Sequence, residues 1–225
     1  MSRYLALGRS EAKWVLCCLL VVALLAADIL TGGPLNHLDH AVRDQIQRRS
    51  PHTPGWMTPP DNLGEVGTAT ALMLGAALIA AQVLWRLWPV VLAVGNLVLV
   101  EVLVLLVKTA VGRPGPGSRE RLDGYPGYFP SGHTATSAVC AGTVAFLAVT
   151  CWGSVRWLDR ATLAGQVAGF AVGALSGVSA VLGDFHWFTD TVGAVLLGSV
   201  VLTVGFAAAR EHVRRTSRPS RLEPP

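Results

Sequence analysis

The sequence predicts an all-α, polytopic membrane protein, a bundle of six transmembrane helices, and it does so on three observations. Apolar residues make up 52% of the 225 and charged residues only 14%. The mean hydropathy is +0.48, whereas a water-soluble globule carries about a quarter charged residues and covers its core with them. The apolar residues are also gathered, into six stretches that reach or approach the roughly 20 residues a helix needs to cross the hydrocarbon core. Disordered, collagenous and disulfide-scaffold chains are excluded by the same composition.

The first stretch, 13–31, follows Arg3, Arg9 and Lys13 and so has the outline of a signal peptide. Its apolar core runs some seventeen residues and no small-x-small cleavage site precedes Asp28, the pattern of a retained span. Residues 32–63 read as a loop on the membrane surface, with a short amphipathic helix from Leu35 to Arg48 and then a stretch rich in proline (Pro51, Pro54, Pro59, Pro60). Spans follow at 64–85 and 88–109. Residues 110–131 are dense in Gly and Pro and cannot form a helix. Three more spans fill 132–152, 161–182 and 189–209. The expected organisation is a cytoplasmic N-terminal segment (1–12), a membrane domain (13–209) and a basic cytoplasmic tail (210–225), disordered over its last dozen residues.

A net charge of +4 invites a nucleic-acid reading, but the 18 basic residues sit at the chain ends and in short gaps between apolar runs. Topology explains them better. With a cytoplasmic N-terminus, that side collects eleven basic residues (Arg3, Arg9, Lys13, Arg86, Arg156, Arg160, Arg210, Arg214, Arg215, Arg218, Arg221) against seven on the other. The expectation is a cell-membrane protein with both termini inside. Cys17, Cys18, Cys140 and Cys151 lie in or beside apolar runs without metal-ligand spacing and read as small hydrophobes. Trp85, Trp88, Trp152, Trp157, Trp187, Tyr125 and Tyr128 suit interfacial belts.

Three polar clusters fall at span ends that this topology places on one outer face: Lys108 with Arg113, the tetrad Pro130-Ser131-Gly132-His133, and His186 with Asp190. Ser131 is placed to cap the helix of the fourth span, whose free amides would form an anion site; the plainer alternative is a cap beside an incidental histidine. His186 and Asp190 are four apart and share a helical face. A carboxylate that accepts the imidazole N–H fixes its tautomer and raises the basicity of the other nitrogen, as a nucleophile or base requires. The alternative is an interfacial pair, and the spacing is not that of a metal site. Lys108 either snorkels to the interface or pairs with Glu101, two turns earlier, and Asp28 near the end of the first span invites the same structural reading.

Lys108-Thr-Ala-Val-Gly-Arg-Pro, PSGH at 130–133, and Ser179 with His186 and Asp190 resemble, in order, the three motifs of the type 2 phosphatidic acid phosphatase superfamily, KxxxxxxRP, PSGH and SRxxxxxHxxxD. The likeness covers about 64–209. It implies that His186 attacks phosphorus to form a phosphohistidine, that Asp190 orients it, and that His133 protonates the leaving oxygen. Lys108 would clamp the phosphate and Ser131 and Gly132 would line the oxyanion cradle, a metal-free and cofactor-free arrangement suited to in-line transfer.

Two positions depart from the pattern: Gly115 and Ala180 stand where the family has arginine. Each charge-assisted contact is worth about 1.5–3 kcal/mol. Arg113, two residues before the first of these positions, and Arg119 and Arg121 on the same loop are the candidates for a replacement. The resemblance therefore implies a membrane lipid phosphatase acting on a lipid phosphate such as a polyprenyl diphosphate, phosphatidic acid or phosphatidylglycerophosphate, with a catalytically weak or silent homologue that binds a lipid phosphate or a membrane partner as the alternative. A transporter, suggested by Glu101 and by Gly165, Gly169, Gly173 and Gly177, is the other class. Glycines spaced by four more simply permit close helix packing.

Overall fold

The computed structural model describes residues 7–49, 66–117, 125–153 and 157–216. The Pro-rich stretch, Arg119, Arg121 and the last nine residues of the tail lie outside the described residues. The helices are α1 (Arg9–Thr31), α2 (Pro34–Arg49), α3 (Val66–Leu84), α4 (Trp88–Val111), α5 (Gly132–Trp152), α6 (Leu158–Leu182) and α7 (Phe188–Thr216), and all but α2 are long and apolar enough to cross a membrane. There is no strand among the described residues.

α5 and α7 form the centre. In α5 the small side chains from Thr134 to Ala138 are all buried, so neighbouring helices approach closely. Val139, Phe146, Val201 and Phe206 join Met73 and Ala77 of α3 and Val100 and Val104 of α4 in one core, with Phe146 and Phe206 stacked at 4.3 Å. Asn96 of α4, buried among them, donates to Thr143 Oγ1 of α5 at 3.0 Å, which satisfies a side-chain amide that lipid could not.

α6 packs through its glycines. A Cβ on Gly169 would lie 2.9 Å from the Ala138 carbonyl oxygen, and one on Gly173 would lie 2.8 Å from the Ala138 Cβ. Gly165 and Gly177 meet Phe206 and Thr191 of α7 in the same way. The stripe is packing surface. Gly169→Val is accordingly expected to destabilise the folded protein by about 1–3 kcal/mol or more, since the obstruction is backbone and cannot rotate away. Thermal unfolding in detergent, with Leu175→Val on the exposed side of α6 as control, measures it.

At the end of the bundle away from the Ser131 cap, Glu11 of α1 pairs with Arg210, whose NH1 also donates to Thr162 of α6 at 2.9 Å. Trp14 Nε1 donates to Ser199 Oγ at 2.9 Å. α7 therefore continues beyond residue 209, and Arg210, assigned to a tail by hydropathy, is a buried tie between three helices.

α2 crosses the other end. Asp28, the last acidic residue of α1, caps it: Oδ2 accepts from Asn36 N at 2.8 Å and Oδ1 from Leu35 N at 3.3 Å. Its place in an apolar span is thus a helix-capping one, and the cap fixes the angle at which α2 leaves α1.

Candidate active site

Two bonds draw the polar clusters together. Ser131 N–H donates to the Asp190 carbonyl at 3.1 Å, tying the N-terminus of α5 to the first turn of α7. Trp187 Nε1 donates to the Pro114 carbonyl at 3.0 Å, tying the end of α4 to the turn that carries His186. Lys108, Arg113, the Ser131–His133 cap and the His186–Asp190 pair consequently occupy one end of the bundle.

That turn is built from the last residues of α6. The amides of Phe185 and His186 both donate to the Ala180 carbonyl, at 2.9 and 3.3 Å. Asp184 has a φ of 56°, in the left-handed region that Asp tolerates better than bulkier side chains. It is held there by Arg43 of α2, with Nε to Oδ1 at 2.7 Å and NH2 to Oδ2 at 3.0 Å. The hydrogen bonds to Asp184 push the pKa of the Arg43 guanidinium above its already high ordinary value.

His186 Nδ1 lies 3.2 Å from Asp190 Oδ2. A carboxylate only accepts, so this contact assigns the hydrogen to Nδ1 and leaves the lone pair on Nε2. Tyr128 packs edge-on against the ring at 5.6 Å. The buried Asp190 also accepts from Trp187 N–H at 3.1 Å and from Arg113 NH1 at 2.7 Å.

Ser131 caps α5, its Oγ accepting from Thr134 N at 3.4 Å. Lys108 is 8% exposed, and its ammonium lies 4.0 Å from where a Cβ on Gly132 would stand, at the positive end of the α5 dipole. Its hydrogen-bond partner is Tyr125 Oη at 2.8 Å. The expected ion pair with Glu101 is not made: seven residues of helix separate the two by about 10 Å, and Glu101 instead accepts from Thr136 Oγ1 at 2.7 Å. His133, the second residue of α5, is exposed at this end.

Tyr125 and Tyr128 reach the site because the strand of chain before α5 crosses the end of α4. Tyr128 N–H donates to the Arg113 carbonyl at 2.9 Å, and Gly127, with a φ of 138°, lies so close that a Cβ would sit 3.0 Å from Arg113 N. These tyrosines and Trp187, which is 7% exposed, belong to the site. Trp85 and Trp152, about nine-tenths exposed, keep the surface position expected of a belt.

Arg113, one of the candidates to replace the missing clamps, has its guanidinium between two carboxylates. NH1 donates to Asp190 Oδ1 and to Thr189 Oγ1, both at 2.7 Å; NH2 donates to Asp39 Oδ2 at 2.6 Å and to Asn36 Oδ1 at 3.0 Å. The side chain is 3% exposed. In this arrangement its NH1 and NH2 groups are taken up by the protein. A side chain at 115 would require the Tyr128 ring to move, since a Cβ there would stand 2.7 Å from it.

Sequence reasoning missed the contribution of α2. Asn36, Asp39, His40 and Arg43 recur at helical spacing and turn toward the site: Asp39 is 1% exposed, and the His40 ring lies 4.6 Å from that of Trp187. The periodicity was visible, but a polar face on a surface helix reads as facing water. A cavity of about 430 Å³ lies beside it, bounded by Asn36, His40, Arg43, Arg113, Gly115 and Trp187.

The fold and this end of it define an integral membrane helical bundle with an imidazole–carboxylate pair beside a capped helix N-terminus and a buried ammonium. The PAP2 superfamily profile matches residues 86–214, more than half of the chain, and the chain belongs to that superfamily. Among solved structures it is similar to the first transmembrane PAP2-type phosphatidylglycerolphosphate phosphatase, from Bacillus subtilis. The TM-score is 0.70 at 18% identity, over 92% of this chain and 98% of that one. A comparison with curated proteins by sequence finds no match.

Proposed function

We propose that the protein is a lipid phosphatase that hydrolyses a phosphomonoester or diphosphate through a phosphohistidine. His186 Nε2 attacks phosphorus while Nδ1–H donates to Asp190, which offsets the positive charge that develops on the ring. Lys108 and the Gly132 N–H, at the end of α5 that Ser131 caps, hold the non-bridging oxygens. His133 gives a proton to the leaving oxygen as the P–O bond breaks, then takes one from the water that cleaves the P–N bond. Arg113 acts on this reading through Asp190 rather than on the phosphate.

The observation that carries the proposal is the bond from Ser131 N–H to the Asp190 carbonyl, since it joins the anion-binding helix end to the oriented histidine. The excess of basic residues on the other side of the bundle supports an outer-face site with both termini cytoplasmic. Gly115 and Ala180 favour a second reading, a homologue that binds a lipid phosphate without turning it over.

Purified protein in detergent, offered phosphatidic acid, phosphatidylglycerophosphate and a polyprenyl diphosphate in turn, is expected to release inorganic phosphate from at least one. Binding of all three with no release from any would establish the second reading.

A further inference from the structure

Asp39 sits outside every motif, on a helix that is not among the membrane-spanning ones, yet it is among the most buried charged groups in the protein. Its Oδ1 accepts from Thr189 N–H at 2.9 Å and its Oδ2 from Thr189 Oγ1 and from Arg113 NH2. The other end of the same guanidinium meets Asp190, whose second oxygen meets His186. The result is a linear array: carboxylate, guanidinium, carboxylate, imidazole. The side chains of Asp39 and Asp190 are 0% exposed and that of Arg113 is 3% exposed, so water screens little of it.

The sign of the array decides what Asp190 can do. Arg113 alone, 2.7 Å from Asp190, would cancel the carboxylate's charge just where a cationic His186 ring needs it. With Asp39 ionised, the three charged groups sum to minus one, and the ring faces a net negative partner. Among the described residues, the other polar groups around His186 are engaged elsewhere. Tyr128 packs edge-on against the ring, Asp184 is paired with Arg43, His40 packs on Trp187, and Lys108 donates to Tyr125.

We infer that Asp39 is a positioning residue of the reaction: by neutralising Arg113, it leaves the charge of Asp190 available to the phosphorylated form of His186. The inference rests on the reading of His186 as nucleophile. It assigns to α2 an electrostatic function in addition to covering the end of the bundle.

The test compares Asp39→Asn, which keeps the shape and removes the charge, with the double variant Asp39→Asn/Arg113→Gln, which restores the sum. Full-length protein labelled at histidine is titrated in detergent micelles by imidazole NMR, the His186 signals being assigned by their loss in a His186→Asn sample. In Asp39→Asn the ring is expected to lose its proton at a pH lower by about one than in wild type, the size of effect an uncompensated nearby charge produces. Its kcat should fall about tenfold or more with KM unchanged. In the double variant the titration returns to the wild-type position and kcat recovers.

A double variant that titrates away from wild type, or that is slower than the single one, would overturn the inference, because a merely structural tether predicts accumulating damage. Should Asp39→Asn fail to fold, the charge-balanced double variant decides alone by the same comparison with wild type. The titration needs no turnover. The expected order of titrations in a protein that releases no phosphate would therefore refute the phosphatase reading while leaving the charge array standing.

Discussion

Phosphate release by the His186→Asn protein is expected to fall on the order of 10⁴-fold or more, to the limit of detection. Loss of a nucleophile removes the covalent route outright, whereas loss of a binding contact only slows it. The fold should survive, because Asp190 keeps its bonds from Trp187 N–H and Arg113 NH1 when the imidazole is gone. The measurement is single-turnover release from the substrate identified in detergent, with thermal unfolding recorded on the same preparation. Wild-type protein quenched in alkali should retain labelled phosphate that acid releases, and the variant should retain none. A variant keeping more than a tenth of wild-type activity would place the nucleophile elsewhere.

Lys108→Met carries the second largest expected effect, a fall in kcat/KM of about 10²–10³, the loss that follows removal of one preorganised charge at a developing anion. Methionine keeps the length of the side chain and suits a site that is 8% exposed. Stability should hold or improve, since a buried ammonium is replaced by an apolar chain of similar volume. Lys108→Arg is expected to rescue little: Tyr125 and Gly132 confine a compact ammonium, and a planar fork has a different shape. Equal activity in wild type and Lys108→Met would remove Lys108 from the phosphate cradle and leave it a partner of Tyr125 alone.

The spans were legible because lipid imposes one rule on every residue in them, and each expected stretch overlaps a helix. The contacts at the site were legible only where partners are close in sequence. His186 and Asp190, four apart, could be paired from spacing alone, and Ser131 could be read as a cap. Arg113 could not be matched to Asp39, because nothing in a single sequence marks which distant carboxylate a guanidinium meets. Lys108 and Glu101 show the opposite failure, in which a shared face was taken for a contact although the helical rise keeps them apart. The role of α2 was hidden by a default: a polar helical face is assigned to water unless something polar and buried waits to receive it. Asp28 could have signalled this, since a carboxylate near the end of an apolar helix, followed by Gly32, Gly33 and Pro34, is placed to cap a following helix.

The glycine face of α6 has a consequence for the histidine that hangs from its end. Turning α6 by a single residue, about 100°, would bring a bulky neighbour such as Phe170 or Val178, both now exposed, toward places where even one added carbon stands within 3 Å of another helix. The azimuth the rod adopts is the one that sets glycine at each of those places. The compass bearing of the imidazole is thus dictated in part by side chains the helix does not possess, a keyway cut by omission some three turns away from the chemistry.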